Sequence, residues 1–73
     1  MIRYRFDLQR ATIPDYQELT HIIHAWSLED AVIKFTRKHR LEAPAYWDEP
    51  TFDRFIEMRF SSGRGDVWYI INW

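Results

Sequence analysis

Imidazoles, guanidiniums and indoles are the side chains of this sequence best suited to act on something outside the chain. His21 and His24 stand three positions apart, and two imidazoles with a third donor can hold a divalent metal. Their stretch reads as a strand, however. Positions three apart on a strand point to opposite faces, so the two rings diverge. With no cysteine and no third histidine at metal-site spacing, no metal and no other cofactor is expected. The histidines are read instead as a source of mild pH sensitivity. No nucleophile–base pattern and no acid/base carboxylate pair stands out, and the only glycines, Gly63 and Gly65, make no phosphate-cradling loop. So short a chain leaves little room for a deep pocket. The expectation is a protein that is not an enzyme.

The charged side chains are grouped by sign. Arg37, Lys38 and Arg40, with Lys34, form a basic cluster, and Glu42, Asp48, Glu49, Asp53 and Glu57 follow with Arg54 among them. Two readings of the basic cluster stand side by side. It can hold nucleic-acid phosphates through Arg37, Lys38 and Arg40, or it can offset the negative end of a helix dipole. With 10 basic and 11 acidic residues, the chain lacks the overall positive charge of a general nucleic-acid binder. Arg64-Gly65-Asp66 matches the tripeptide read by integrins; here it reads as a hairpin turn in which Gly65 supplies a positive φ.

The elements that carry these residues follow from periodicity. Over 2–9, Ile2, Tyr4, Phe6 and Leu8 alternate with Arg3, Arg5, Asp7 and Gln9, which is a half-buried strand. Residues 10–17, with Pro14 and Asp15, read as a loop. Residues 18–26 read as a second strand, with Leu19, Ile23 and Ala25 inward and Ile22, His24 and Trp26 outward. Ser27 caps a helix of about 14 residues, roughly 21 Å long. Its apolar stripe is Leu28, Ala31, Val32 and Phe35, and it stops before Pro44. Residues 42–51 read as a loop holding Tyr46 and Trp47. Residues 53–60 fit both a strand and a helix. The strand is chosen because 61–66 reads as a loop and Val67 to Trp73 as a hairpin partner, with Val67, Tyr69, Ile71 and Trp73 inward. The fold expected is α+β: a four-stranded, mainly antiparallel sheet in the order β-β-α-β-β, with one helix packed on one face.

One helix covers one face of such a sheet. The other face then carries Arg3, Arg5, Asp7, Ile22, His24, Trp26, Phe55, Glu57, Arg59, Trp68 and Ile70. An open antiparallel face is usually polar, whereas this one mixes indole, phenyl and aliphatic groups with arginine, the types enriched at interface hot spots. Aromatics make up 18% of the chain, more than one small core requires. A domain of this size without disulfide or metal also gains stability by docking to a partner or to itself. The expected partner-binding residues are Trp26, Phe55 and Trp68 as apolar anchors and Arg3, Arg5 and Arg59 as charge-assisted donors. Tyr46 and Trp47 are a second patch. A protein partner is expected first, a sheet-to-sheet homodimer is the next possibility, and nucleic acid through the basic helix end is the alternative. No apolar run approaches the ~20 residues that span a bilayer, so no membrane partner is expected. Met1-Ile2-Arg3-Tyr4-Arg5 is not followed by a signal-type apolar region, so a cytoplasmic location is expected.

The run Ala25-Trp26-Ser27-Leu28-Glu29-Asp30-Ala31 resembles the strand-to-helix transition of many small proteins of phages and mobile elements. Together with the β-β-α-β-β order it resembles one of the small anti-CRISPR families that inhibit type I surveillance complexes. That resemblance implies a compact inhibitor that binds an effector in the host cytoplasm and blocks access to target DNA. The same Ser-Leu-Glu-Asp-Ala helix start resembles the antitoxin domain of HicB-type modules, which usually has three strands before the helix where this chain has two. Neither resemblance assigns a role to a particular residue.

Overall fold

The computed structural model describes all 73 residues. Five elements follow the expected order: β1 (Ile2–Ala11), β2 (Thr20–Ala25), α1 (Leu28–His39), β3 (Phe55–Ser62) and β4 (Gly65–Asn72). The strands form one sheet in the order β2-β1-β4-β3, and every pairing is antiparallel. The first and last strands are therefore the inner pair, and β2 and β3 are the edges. No helix is long and apolar enough to cross a membrane.

Alternation decides which side chains meet the helix. In β1, Tyr4 and Phe6 are buried between the exposed Arg3 and Arg5; in β4, Val67, Tyr69 and Ile71 are fully buried. The register sets Phe6 beside Ile71, Met58 beside Tyr69 and Phe60 beside Val67, so the inward residues form a continuous apolar layer. α1 lies on that layer through Leu28, Ala31, Val32 and Phe35. Phe35 is the hub. Its ring stacks on Phe6 at 4.3 Å and meets Tyr69 at 4.8 Å and Phe60 at 5.1 Å.

α1 begins where the sequence places its cap. Ser27 is extended, and its Oγ accepts the Asp30 N–H at 3.1 Å, filling one of the unpaired donors of the first turn. The Asp30 carboxylate in turn accepts the Trp26 N–H at 3.0 Å. That bond, with Lys34 nearby, holds its pKa below the usual carboxylate range. Ser27→Ala is expected to cost about 1 kcal/mol, lowering Tm by about 4–8 °C in a domain of this size; thermal melts followed by circular dichroism check this.

The tight β3–β4 hairpin turns through Gly63 and Arg64, with Ser62 opposite Gly65. Gly65 has φ 148°, and a Cβ there would stand 2.8 Å from Thr12 Oγ1 and 3.1 Å from the Ile13 nitrogen. The close approach arises because Thr12 latches the hairpin. Its N–H donates to the Asp66 carbonyl at 2.8 Å, and its hydroxyl accepts the Asp66 N–H at 2.9 Å. Gly65→Ala is expected to destabilise by roughly 1–3 kcal/mol. Gly63→Ala, with open space around the position, should leave the urea midpoint almost unchanged.

The boundaries differ from the sequence reading in four places. β1 runs on to Ala11, because a bulge at Gln9 breaks the alternation without ending the pairing and turns Arg10 to the open face opposite Trp68. The second strand is Thr20–Ala25 rather than 18–26, and Leu19 is exposed rather than inward. Leu19 lies in the β1–β2 connection, and the next inward position is taken by His21, packed on Phe35. Residues 53 and 54 precede β3, which is a strand from Phe55 onward. The turn is also shorter than 61–66, because Ser61 and Ser62 pair with Asp66 and Gly65.

Candidate functional site

The open face carries the residues the sequence assigns to it, in rows set by the register. Arg3 lies beside His24. Ile22, Arg5, Asn72 and Phe55 form the next row, then Thr20, Asp7, Ile70 and Glu57, then Arg10, Trp68 and Arg59. The middle strands thus present Ile70 and Trp68, flanked by Ile22 and Phe55 on the edges. The Arg10 guanidinium lies over the Trp68 indole, 4.0 Å from its centroid, a cation–π contact that holds both side chains flat on the sheet. Arg5 pairs with Asp7 at 3.0 Å, and Thr20 Oγ1 donates to the same carboxylate. Four arginines (Arg3, Arg5, Arg10 and Arg59) face two carboxylates (Asp7 and Glu57), so the surface is basic although the chain is not.

The expected anchors do not form one cluster. Trp26, exposed by 72%, lies beyond the Ile2–Ala25 pair at one corner. Trp68 lies about eight residues further along β1 and two strands across, roughly 25 Å away. Phe55 falls between them on the β3 edge. Tyr46 and Trp47 line one shallow groove with Glu29, Ala45 and Glu49, but they differ in burial. Tyr46 is exposed and donates its hydroxyl to Asp48, whereas Trp47 is half-buried and packs against the core. Trp47 thus packs on the core with one part of its side chain and still borders the groove beside Tyr46. Sequence reasoning missed Arg10, which it placed in a loop, and Phe52, which is 93% exposed just ahead of β3.

Arg37, Lys38 and Arg40 are exposed at the C-terminal end of α1, and none forms an ion pair. Arg40 adopts a left-handed conformation (φ 55°) and closes the helix. Arg64 of the β3–β4 turn joins Lys38 and Arg40 along a groove of about 490 Å³ whose other wall is the β1–β2 connection with Tyr16 and Glu18.

This same end holds an arrangement the sequence did not signal. His21 and His24 diverge as expected, His21 toward the helix and His24 onto the open face. His21, however, meets a third histidine from the helix end. Its ring centroid is 4.3 Å from that of His39, and both imidazoles pack on Phe35. The Glu18 carboxylate approaches His21 Nε2 to 3.1 Å, out of line for a hydrogen bond. Glu18, His21 and His39 each offer a donor atom within 4.8 Å of the other two. Nε2 of His21 and of His39 are buried without a hydrogen bond, and for His39, which has no ion partner either, that condition costs about 1–3 kcal/mol. Burial first, and the facing His21 next, hold the His39 imidazole below its ordinary value. The connection carrying Glu18 is pinned from below: the Tyr69 hydroxyl donates to the Glu18 carbonyl and also meets the Tyr16 hydroxyl at 2.8 Å. Burial pushes both phenols up. The three residues lie at positions 18, 21 and 39, a spacing that only the β2–α1 packing converts into proximity.

Comparison with protein families, with curated proteins and with solved structures finds no match to this chain.

Proposed function

We propose that this chain is a non-catalytic binding module that docks an acidic protein surface onto the open face of its sheet, acting as an inhibitor or adaptor. The observation that carries this reading is the Arg10–Trp68–Arg59 row of the face, on the side of the β3–β4 hairpin. Trp68 on an inner strand lies between Arg10 and Arg59 and next to Ile70, and the face as a whole carries four arginines to two carboxylates. An apolar anchor surrounded by charged groups that exclude water is the anatomy of a protein interface. The surplus guanidiniums favour carboxylates opposite them and oppose a second copy of the same basic face. Nucleic acid fits this face less well. Base stacking uses aromatic rings set side by side, and here the inner row beside Trp68 is occupied by the aliphatic Ile70, with Trp26 and Phe55 at the margins.

The unpaired Arg37, Lys38 and Arg40 support a second reading, phosphate contact at the helix end, of the kind an antitoxin-like regulatory domain would use. One experiment separates the two. The tagged chain is used to capture partners from nuclease-treated and untreated extracts of its host, beside a Trp68→Ala/Arg59→Glu variant and an Arg37→Glu/Lys38→Glu variant. A protein retained after nuclease, lost with the face variant and kept by the helix-end variant supports the protein-binding reading. Capture that vanishes with nuclease or with the helix-end variant overturns it in favour of nucleic acid. Self-association of the wild-type chain, abolished by the face variant, replaces the acidic partner with a second copy.

A further inference from the structure

We propose that Glu18, His21 and His39 form a binding site for a divalent transition-metal ion of the zinc class, with a fourth coordination position open to the groove between the helix end and the β1–β2 connection. Two imidazoles and a carboxylate are a donor set that suits zinc, and three protein ligands leave one position for water or another group. Bonds of roughly 2.0–2.1 Å at tetrahedral angles would place the donor atoms about 3.3 Å apart. They now lie within 4.8 Å, so the site must tighten. The parts able to move are the right ones: the Glu18 side chain is 52% exposed and sits in a connection between strands, while the His21 side chain is only 14% exposed.

Three features make the site more than a chance grouping. His39 Nε2 is buried without a hydrogen-bond partner and His21 Nε2 has only the ill-aligned Glu18 carboxylate beside it, so a metal ion would supply the missing interaction to the first and join the other two. Phe35 packs against both rings and gives them an apolar wall, which fixes their orientation and limits water access. The bond from Tyr69 to the Glu18 carbonyl anchors the carboxylate's backbone to β4. Lys38, Arg40 and Arg64 line the adjoining groove together with Asp15. Their positive charge opposes a bare cation but is exposed and screened by salt. It favours an anion at the fourth position, which would neutralise the ion and the rim together.

The test uses the full chain with zinc chloride as probe, and cobalt chloride to report geometry by its visible absorption. With zinc at about a hundredfold excess over its dissociation constant, Tm is expected to rise by about 10 °C or more. The imidazole proton resonances of His21 and His39 should shift, while those of His24 stay in place. His39→Gln and Glu18→Gln, each compared with and without zinc so that any change in intrinsic stability cancels, should lose at least about tenfold in affinity; His24→Gln should bind as wild type. No rise in Tm at millimolar zinc would overturn the site. So would a response centred on His24, or one that His39→Gln leaves intact.

Discussion

Phe35→Ala should lower Tm by about 15 °C or more and leave much of the chain unfolded at 37 °C. Phe35 is fully buried and touches Phe6, Tyr69, Phe60 and His39 at centroid distances from 4.3 to 5.1 Å. Removing such a ring costs about 3–5 kcal/mol, from lost transfer energy and from the cavity left behind. A domain of this length has a stability of only about 4–11 kcal/mol, and its small core offers little material with which to collapse the void. The matched control is Ile33→Ala, on the same helix but 41% exposed, which should shift the melt by no more than a few degrees. A Phe35→Ala chain melting near wild type would mean that the helix does not rest on the sheet in the way described.

The second large effect concerns binding. Once the partner is in hand, Trp68→Ala should weaken the complex by at least about 2 kcal/mol, roughly thirtyfold in dissociation constant, with the circular dichroism spectrum unchanged. Trp68 is outward-facing on an inner strand and leans on Arg10, not on the core, so its removal takes little from folding. Its place on an inner strand between Arg10 and Arg59 is what makes the expected loss large, because hot spots gather where surrounding groups exclude water. Trp26, about 25 Å away at a corner, should matter less, and Arg59→Ala should act partly through the association rate and its salt dependence. Native binding by both tryptophan variants would remove the open face as the docking surface and leave Tyr46, Phe52 or the helix end to account for it.

The division of the molecule into a core face and an open face was legible in the sequence because strand alternation is strict where it matters. Tyr4 and Phe6 against Arg3 and Arg5, and Val67, Tyr69 and Ile71 against Trp68 and Ile70, leave only one register that buries no charge. The helix was equally plain, since its cap, stripe and terminal charges agree. What escaped the sequence depends on events that periodicity does not encode. A single extra residue at Gln9 carried Arg10 to the face beside Trp68. Trp47 turned to the core from a segment without regular structure. His39 reached His21 only because the helix end packs over the start of β2, and a search for ligand spacing along the chain passes over two histidines eighteen positions apart.

The inner pair of the sheet is made from the first and last strands, Arg5 lying beside Asn72 and Ala11 beside Val67. Neither the β1–β2 half nor the β3–β4 hairpin can close a core alone, since Phe35 needs Phe6 from one and Tyr69 and Phe60 from the other. The contacts that define the native state therefore span nearly the whole chain, which places this domain among slow folders for its size. As it leaves a ribosome, the chain emerges with β1, β2 and the helix waiting for β4. Folding must follow synthesis through that strand, and until then the apolar sides of β1 and α1 are open to chaperones, to proteases and to one another.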